Sequence, residues 1–197
     1  MKRSRDPRLL RLLLALVAVV AAVGALPRPG NANDALWTLL KGGGQVVMIR
    51  HGKTDGSFGD PPGFRLDDCA TQRNLLEAGR EDARRIGRTF AARGIAVELV
   101  LSSAWCRCLD TARLAFGRVE VWRPLQAGPR DADRLAEIRE RVGSWRGPGT
   151  LVLVSHNITI RAATGESLAE GELLVLTPGG GSTFRVAGRV LPGLLDD

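Results

Sequence analysis

Two stretches of this 197-residue chain constrain its fold more than any others. Val46-Val47-Met48-Ile49 runs into Arg50-His51-Gly52, and Leu151-Val152-Leu153-Val154 runs into Ser155-His156. Each is a short apolar run with β-branched residues, the pattern of a buried strand. Each stops abruptly on polar, chemically competent side chains. His51 and His156 are the chain's two histidines. In open α/β proteins, ligands bind at the carboxyl ends of the strands. The reading of the whole chain therefore depends on whether these two strand ends meet.

The segments between them alternate. Asp34 can cap a short helix through Leu40, and a Gly42-Gly43-Gly44 triplet leads into the first strand. That triplet precedes the strand, whereas a dinucleotide fingerprint places its glycines after it. A long loop follows Gly52, with Lys53-Thr54-Asp55-Gly56 and Asp60-Pro61-Pro62-Gly63 as turn material. Asn74 is a suitable cap for a helix to about Arg93, with Leu76, Ala83, Ile86 and Phe90 inward and an arginine-rich face to solvent. Strand 97–101 and a helix from about Cys108 to Phe116 come next, then a short strand at 119–121. Asp131 or Asp133 opens a helix with Leu135, Ile138 and Val142 inward. After the 151–155 strand, a helix near 157–164 and strands 172–177 and 183–190, joined through Pro178-Gly179-Gly180-Gly181, complete the chain. This alternation predicts a three-layer α/β/α sandwich with a mostly parallel central sheet. Arg50-His51, the segment Ser103 to Arg107, and His156 then share one sheet edge.

The formal charge of +7 and a pI near 10.5 suggest a polyanionic partner. The N-terminus removes that suggestion. Lys2, Arg3, Arg5, Arg8 and Arg11 precede an apolar run over 12–26, the pattern of a secretory signal, with cleavage expected after Ala25 or Ala32. The run is shorter than the ~20 residues of a spanning helix. Residues 1–32 are thus read as signal and linker and 33–197 as the folded domain, exported to the periplasm with no stable membrane span. Without 1–32 the chain loses six cations and one acid, leaving 22 basic and 20 acidic residues, a net of +2. No basic stripe with interleaved aromatics remains, and no nucleic-acid partner is expected.

Cys69, Cys106 and Cys108 all follow the export segment. An oxidising compartment permits Cys69 to pair with Cys106 or Cys108, leaving one thiol over; three unpaired thiols are the other reading. Cys106-x-Cys108 is too tight for the usual zinc spacing, and no second ligand pair lies near.

Two arginines and two histidines around one crevice make a cationic pocket. Arginine grips phosphate oxygens bidentately and stays charged. A neutral imidazole can attack phosphorus to give a phosphohistidine. Arg50-His51-Gly52 followed by Thr54, then Ser102-Ser103 leading into Arg107 and Thr111, then Ser155-His156, resembles the histidine phosphatase superfamily in its phosphoglycerate-mutase-like branch. The string Cys69-Ala70-Thr71-Gln72-Arg73-Asn74-Leu75 and the later Gly171-Glu172 resemble a small exported bacterial subgroup. The resemblance implies that His51 is the phosphorylated nucleophile, that Arg50 and Arg107 bind the phosphoryl group, and that His156 stabilises it in the transition state. It also implies a small phosphorylated substrate and neither metal nor cofactor. Gly52 is expected to let the backbone approach the phosphate.

The acid that protonates the leaving oxygen in many relatives does not carry over. Val121-Trp122-Arg123-Pro124-Leu125-Gln126 offers no glutamate, and Asn157 stands where the acid-phosphatase branch has aspartate. Asp131, Asp133 and Glu172 are the candidates, although acids in such positions are more often caps or surface groups. The reading is an exported phosphomonoesterase acting through phosphohistidine. A mutase sits poorly with export. The alternative from another class is a non-catalytic phospho-ligand or envelope-glycan binding protein. No Gly-x-Ser-x-Gly elbow occurs to support a serine hydrolase.

Overall fold

The computed structural model describes residues 32–57, 59–128 and 131–191. The described residues from Ala35 onward form one compact unit, the second along the chain. The expected signal lies outside the described residues. Ala32, read from sequence as the end of the linker, is the first residue of helix α1 (Ala32–Lys41), so Asp34 sits inside its first turn rather than capping it. No described helix is long and apolar enough to cross a membrane.

The second unit continues with strand β1 (Val46–Arg50), helix α2 (Glu77–Ala92), β2 (Val97–Ser102), α3 (Cys106–Phe116) and β3 (Glu120–Val121). Then come α4 (Ala132–Gly143), β4 (Thr150–Ser155), α5 (Asn157–Thr164), β5 (Leu173–Gly180) and β6 (Thr183–Val190). The six strands form one sheet in the order β3-β2-β4-β1-β5-β6. β3, β2, β4 and β1 are parallel, and β5 and β6 return antiparallel as a hairpin.

The pleat sorts the core into two layers. Val47 and Ile49 of β1, with Val152 and Val154 of β4, face Leu36, Trp37 and Leu40 of α1, Ile86 and Phe90 of α2, and Ala112 of α3. Val46 and Met48, with Leu151 and Leu153, face Leu135, Ile138 and Val142 of α4 and Ile160 of α5. Successive strand residues point to opposite faces, so an apolar run buried on both sides is what a central strand of a three-layer sandwich requires. Val46, Val47, Met48 and Ile49 are fully buried. At roughly 1.5–3 kcal/mol per buried large apolar side chain, their burial exceeds the few kcal/mol needed to desolvate a neutral polar group at the strand's end.

Two local expectations change. Leu76 is exposed and is itself the residue before α2, with no side-chain cap. Asn74, expected as that cap, instead donates to the carbonyls of Cys69 and Gln72, tying down the 3₁₀ turn Cys69–Thr71. Gly52 also has a different reason to be glycine. A Cβ there would lie 2.7 Å from the Gly79 carbonyl, and one on Gly79 would lie 2.4 Å from the Lys53 carbonyl. The two glycines let α2 press against the chain leaving β1, which fixes the direction in which His51 departs from the sheet.

Candidate active site

β1 and β4 are parallel neighbours with Arg50 opposite Ser155, so both histidines leave the sheet side by side. The His51 amide donates to the Ser155 carbonyl at 3.0 Å, extending the ladder one step past the strands. The two imidazole centroids are 5.5 Å apart. The strand ends that the sequence pattern left separate do meet.

Each imidazole has its tautomer set by its partner. His51 Nδ1 lies 2.9 Å from the Gly52 carbonyl. A carbonyl only accepts, so Nδ1 carries the proton and Nε2 keeps its lone pair. His156 Nδ1 lies 3.5 Å from Arg107 Nη2, which only donates, so His156 Nε2 carries the proton and donates to Ser103 Oγ at 2.8 Å. Burial pushes the His51 pKa down to about 3; the hydrogen bond to Gly52 opposes this, while the charges of Arg107, Arg50 and Arg73 add to it. Burial, with the same guanidinium charges and His51, pulls His156 well below the usual histidine range.

Both imidazoles are therefore neutral in the folded protein and would protonate near 6.5 once unfolded. The unfolded chain binds more protons below that pH, so this contribution to stability is full above 6.5 and lost as pH falls toward about 3. For His51 alone the loss at pH 5 is about 2 kcal/mol. Urea midpoints should drop between pH 7.5 and 5; a flat profile would contradict neutral, buried histidines.

Five guanidinium-bearing or anionic groups, Arg50, Arg73, Arg107, Asp60 and Glu170, surround the pair. Arg50 Nη1 donates to the Leu168 carbonyl at 2.9 Å, and Nη2 lies 3.4 Å from Glu170 Oε1. Asn157 Oδ1 accepts from the Leu168 amide, so Asn157 fixes the very segment that holds Arg50. Thr54 Oγ1 donates to Glu170 Oε1 and accepts from Arg73 Nη1. Arg107 is buried in the first turn of α3 and is paired through both terminal nitrogens with Asp60. Thr111, one turn later, accepts from the Gly52 amide at 3.0 Å and donates to the Arg107 carbonyl at 2.7 Å. Thr111 thereby links the arginine helix to the histidine strand, a role its sequence spacing did not reveal.

A Cys69–Cys106 disulfide joins the 3₁₀ turn to the first residue of α3, immediately before Arg107. Cys108 is the free cysteine, 3.5 Å from His156 Nε2; burial pushes its thiol up to about 12, so it is not a nucleophile.

The named acid candidates stand elsewhere. Asp131 caps α4, accepting from the Asp133 and Arg134 amides, and Asp133 is exposed beside it. Glu172 is buried against Arg189 and accepts from the Ala169 amide. The carboxylates that do touch the site arginines are Asp60 and Glu170. Asp60 reads in sequence as one more turn acid before Pro-Pro-Gly, and Glu170 as one of three acids in a loop. Arg73 and Trp105 were missed for the same reason: they carry no signal apart from a partner distant in the chain.

Residues 46–147, about half the chain, match the histidine phosphatase superfamily (branch 1). The chain belongs to that superfamily. It is 26% identical over 156 residues to a 2,3-bisphosphoglycerate-dependent phosphoglycerate mutase of Rhizobium etli; the aligned region covers 77% of this chain and 66% of that mutase, just under two thirds. The fold is similar to a protein histidine phosphatase SixA complexed with tungstate (TM-score 0.56, 16% identity, 76% of this chain and 97% of that one). It is also similar to a phosphoserine phosphatase of Entamoeba histolytica in complex with 3-phosphoglyceric acid (TM-score 0.57, 14% identity, 75% and 96%). The histidine phosphatase match begins at β1, and Arg50, His51 and Arg107 fall inside it; His156 lies beyond its end.

Proposed function

We propose that this chain is an exported phosphomonoesterase that works through a phosphohistidine on His51 and needs no metal. One observation carries the reading: a neutral imidazole, its Nε2 lone pair free, beside a second neutral histidine and two arginines. Nε2 attacks phosphorus, the N–P bond forms as the ester P–O bond breaks, and the leaving oxygen takes a proton. Water then displaces the phosphoryl group from Nε2 and releases inorganic phosphate. Developing charge on the phosphoryl oxygens falls to Arg50 and Arg107, and to His156 once its Nε2–H turns from Ser103 Oγ to a phosphoryl oxygen. Nε of Arg50, Arg73 and Arg107 are all buried without a hydrogen-bond partner among the described residues, which supports an anionic ligand in this crevice. The N-terminal pattern and the Cys69–Cys106 disulfide support export to an oxidising compartment.

No carboxyl of Asp131, Asp133 or Glu172 touches a site arginine or histidine; Glu172 meets Arg50 only through its main-chain carbonyl. That favours substrates whose leaving group needs little protonation, such as aryl phosphates or phosphohistidine, the latter in line with the phosphohistidine-type neighbour. It is also the observation behind the second reading, a phospho-ligand or envelope-glycan binding protein on this fold. p-Nitrophenyl phosphate separates the two. The full chain should turn it over in the presence of EDTA, and a denaturing quench should trap an acid-labile, base-stable phosphoenzyme. Activity that vanishes with chelator would sink the metal-free reading. Absence of turnover on every ester and phosphohistidine substrate tried would favour the binding protein.

A further inference from the structure

We propose that Asp60 is a positioning residue for the phosphoryl chemistry, locking the Arg107 guanidinium so that its Nε–Nη2 edge is presented beside His156. This inference rests on the phosphatase reading and adds a residue to it. Arg107 Nη1 donates to Asp60 Oδ1 at 2.7 Å and Nη2 to Oδ2 at 3.2 Å, so the carboxylate grips the end of the guanidinium. Arg107 Nη1 also donates to the Arg73 carbonyl at 3.3 Å. The edge left over is the side-on one. Its Nη2 lies 3.5 Å from His156 Nδ1, and its Nε is buried without a hydrogen-bond partner. A guanidinium offers a planar oxyanion two such edges. The carboxylate takes one, and the other borders the second histidine.

Asp60 is itself held on every side. Its Oδ2 accepts from Trp105 Nε1 at 2.9 Å and its Oδ1 from the Arg73 amide at 3.0 Å. Asp60 and Arg107 side chains are 7% and 4% exposed, so neither is a loose surface partner. Trp105 continues the brace, its ring 5.2 Å from the His156 ring. The disulfide pins the far end of the same loop beside Arg107. A freely rotating guanidinium would lose the side-on edge in most of its orientations; a gripped one keeps it. Partners that orient metal ligands typically contribute about 10–100-fold, and a carboxylate that orients a phosphate-binding arginine is expected to act on the same scale.

The test is Asp60→Asn in the full chain, assayed with p-nitrophenyl phosphate and titrated with vanadate and inorganic phosphate. The amide keeps the shape but loses the charge and turns one donor toward donors. The expected result is kcat lowered about 10–100-fold with KM changed less than about 3-fold. Vanadate, which mimics the five-coordinate transition state, should weaken by the same factor as kcat while inorganic phosphate binding stays close to wild type. Trp105→Phe removes only the Nε1 donor and should move kcat and vanadate in the same direction by a few-fold, which keeps the test available if Asp60→Asn folds poorly. An unchanged kcat makes Asp60 a mere loop anchor and overturns the proposal. So does a loss confined to KM and phosphate affinity. A loss that is severe for alkyl phosphates and spared for p-nitrophenyl phosphate also overturns it, because Asp60 would then be the acid for the leaving oxygen. Wild type without turnover would instead overturn the phosphatase reading itself.

Discussion

His51→Ala is expected to lower kcat for p-nitrophenyl phosphate by roughly 10⁴-fold or more and to abolish the trapped phosphoenzyme, while the protein stays folded. The proposed mechanism passes through a covalent bond to His51 Nε2, so removing that atom removes the route rather than one stabilising contact. The other groups around the crevice cannot replace it. His156 Nε2 donates to Ser103 Oγ and its Nδ1 faces Arg107. The Cys108 thiol is held protonated by burial. His156→Ala should therefore behave differently, with a loss nearer 10²–10³-fold and a phosphoenzyme that still forms slowly, since that residue is assigned to charge stabilisation alone. The fold should survive either change, because β1 and β4 are held by apolar side chains on both faces rather than by their polar ends. Quench-flow labelling and a thermal melt on both variants check the pair. Near-wild-type turnover in His51→Ala would remove the nucleophile assignment.

How much of this was visible in the chain depends on whether a residue's partner lies within reach of a local pattern. The sheet was legible because Val46–Ile49 and Leu151–Val154 are apolar at every position, which only a doubly covered strand tolerates. Their shared edge followed from strand alternation, and it brought Arg50, His51, Arg107 and His156 to one crevice. Helix ends near α4 and α5 were legible for a similarly local reason, as the Asp131 cap shows. The failures all involve long-range partners. Leu76 fits the apolar spacing of α2 yet faces solvent, because Gly79 takes the close contact with the chain at Gly52 and Lys53. Gly52 was read only for phosphate approach, and its close contact with Gly79 went unseen. Cys69 had two candidate partners in sequence, Cys106 and Cys108, and only the position of the 3₁₀ turn selects Cys106. Asp60 lies 47 positions from Arg107 in a stretch that looks like ordinary turn material.

Arg107→Ala is expected to lose activity by about 10³-fold and, unlike His51→Ala, to destabilise the protein. Burial raises the Asp60 carboxyl, but the hydrogen bonds from Arg107 and from the Arg73 amide, with the Arg107 charge, outweigh it and hold Asp60 below its ordinary 3.8. Removing the guanidinium leaves a carboxylate with Trp105 Nε1 and one backbone amide as its remaining donors. Breaking a buried ion pair costs about 3–5 kcal/mol when the survivor cannot move. Asp60 keeps two other donors here, so a loss of about 2 kcal/mol is the better expectation. The pH dependence of this contribution should also weaken. In wild type the pair stabilises above about 3.8 and that contribution is lost as pH falls below it. In Arg107→Ala burial is opposed only by the hydrogen bonds from the Arg73 amide and Trp105 Nε1, so the Asp60 carboxyl rises from its wild-type position and the deficit against wild type shrinks as the solution is acidified. Two further variants separate charge from geometry. Arg107→Lys keeps a cation for Asp60 and should recover most of the stability, yet lacks the planar fork and should remain as inactive as the alanine within about 10-fold. Asp60→Ala combined with Arg107→Ala removes the stranded carboxylate and should be more stable than Arg107→Ala alone, without recovering turnover. Urea midpoints at pH 7.5 and 5 for these variants decide the matter: a double variant no more stable than Arg107→Ala would mean that the buried pair is not what the single substitution breaks.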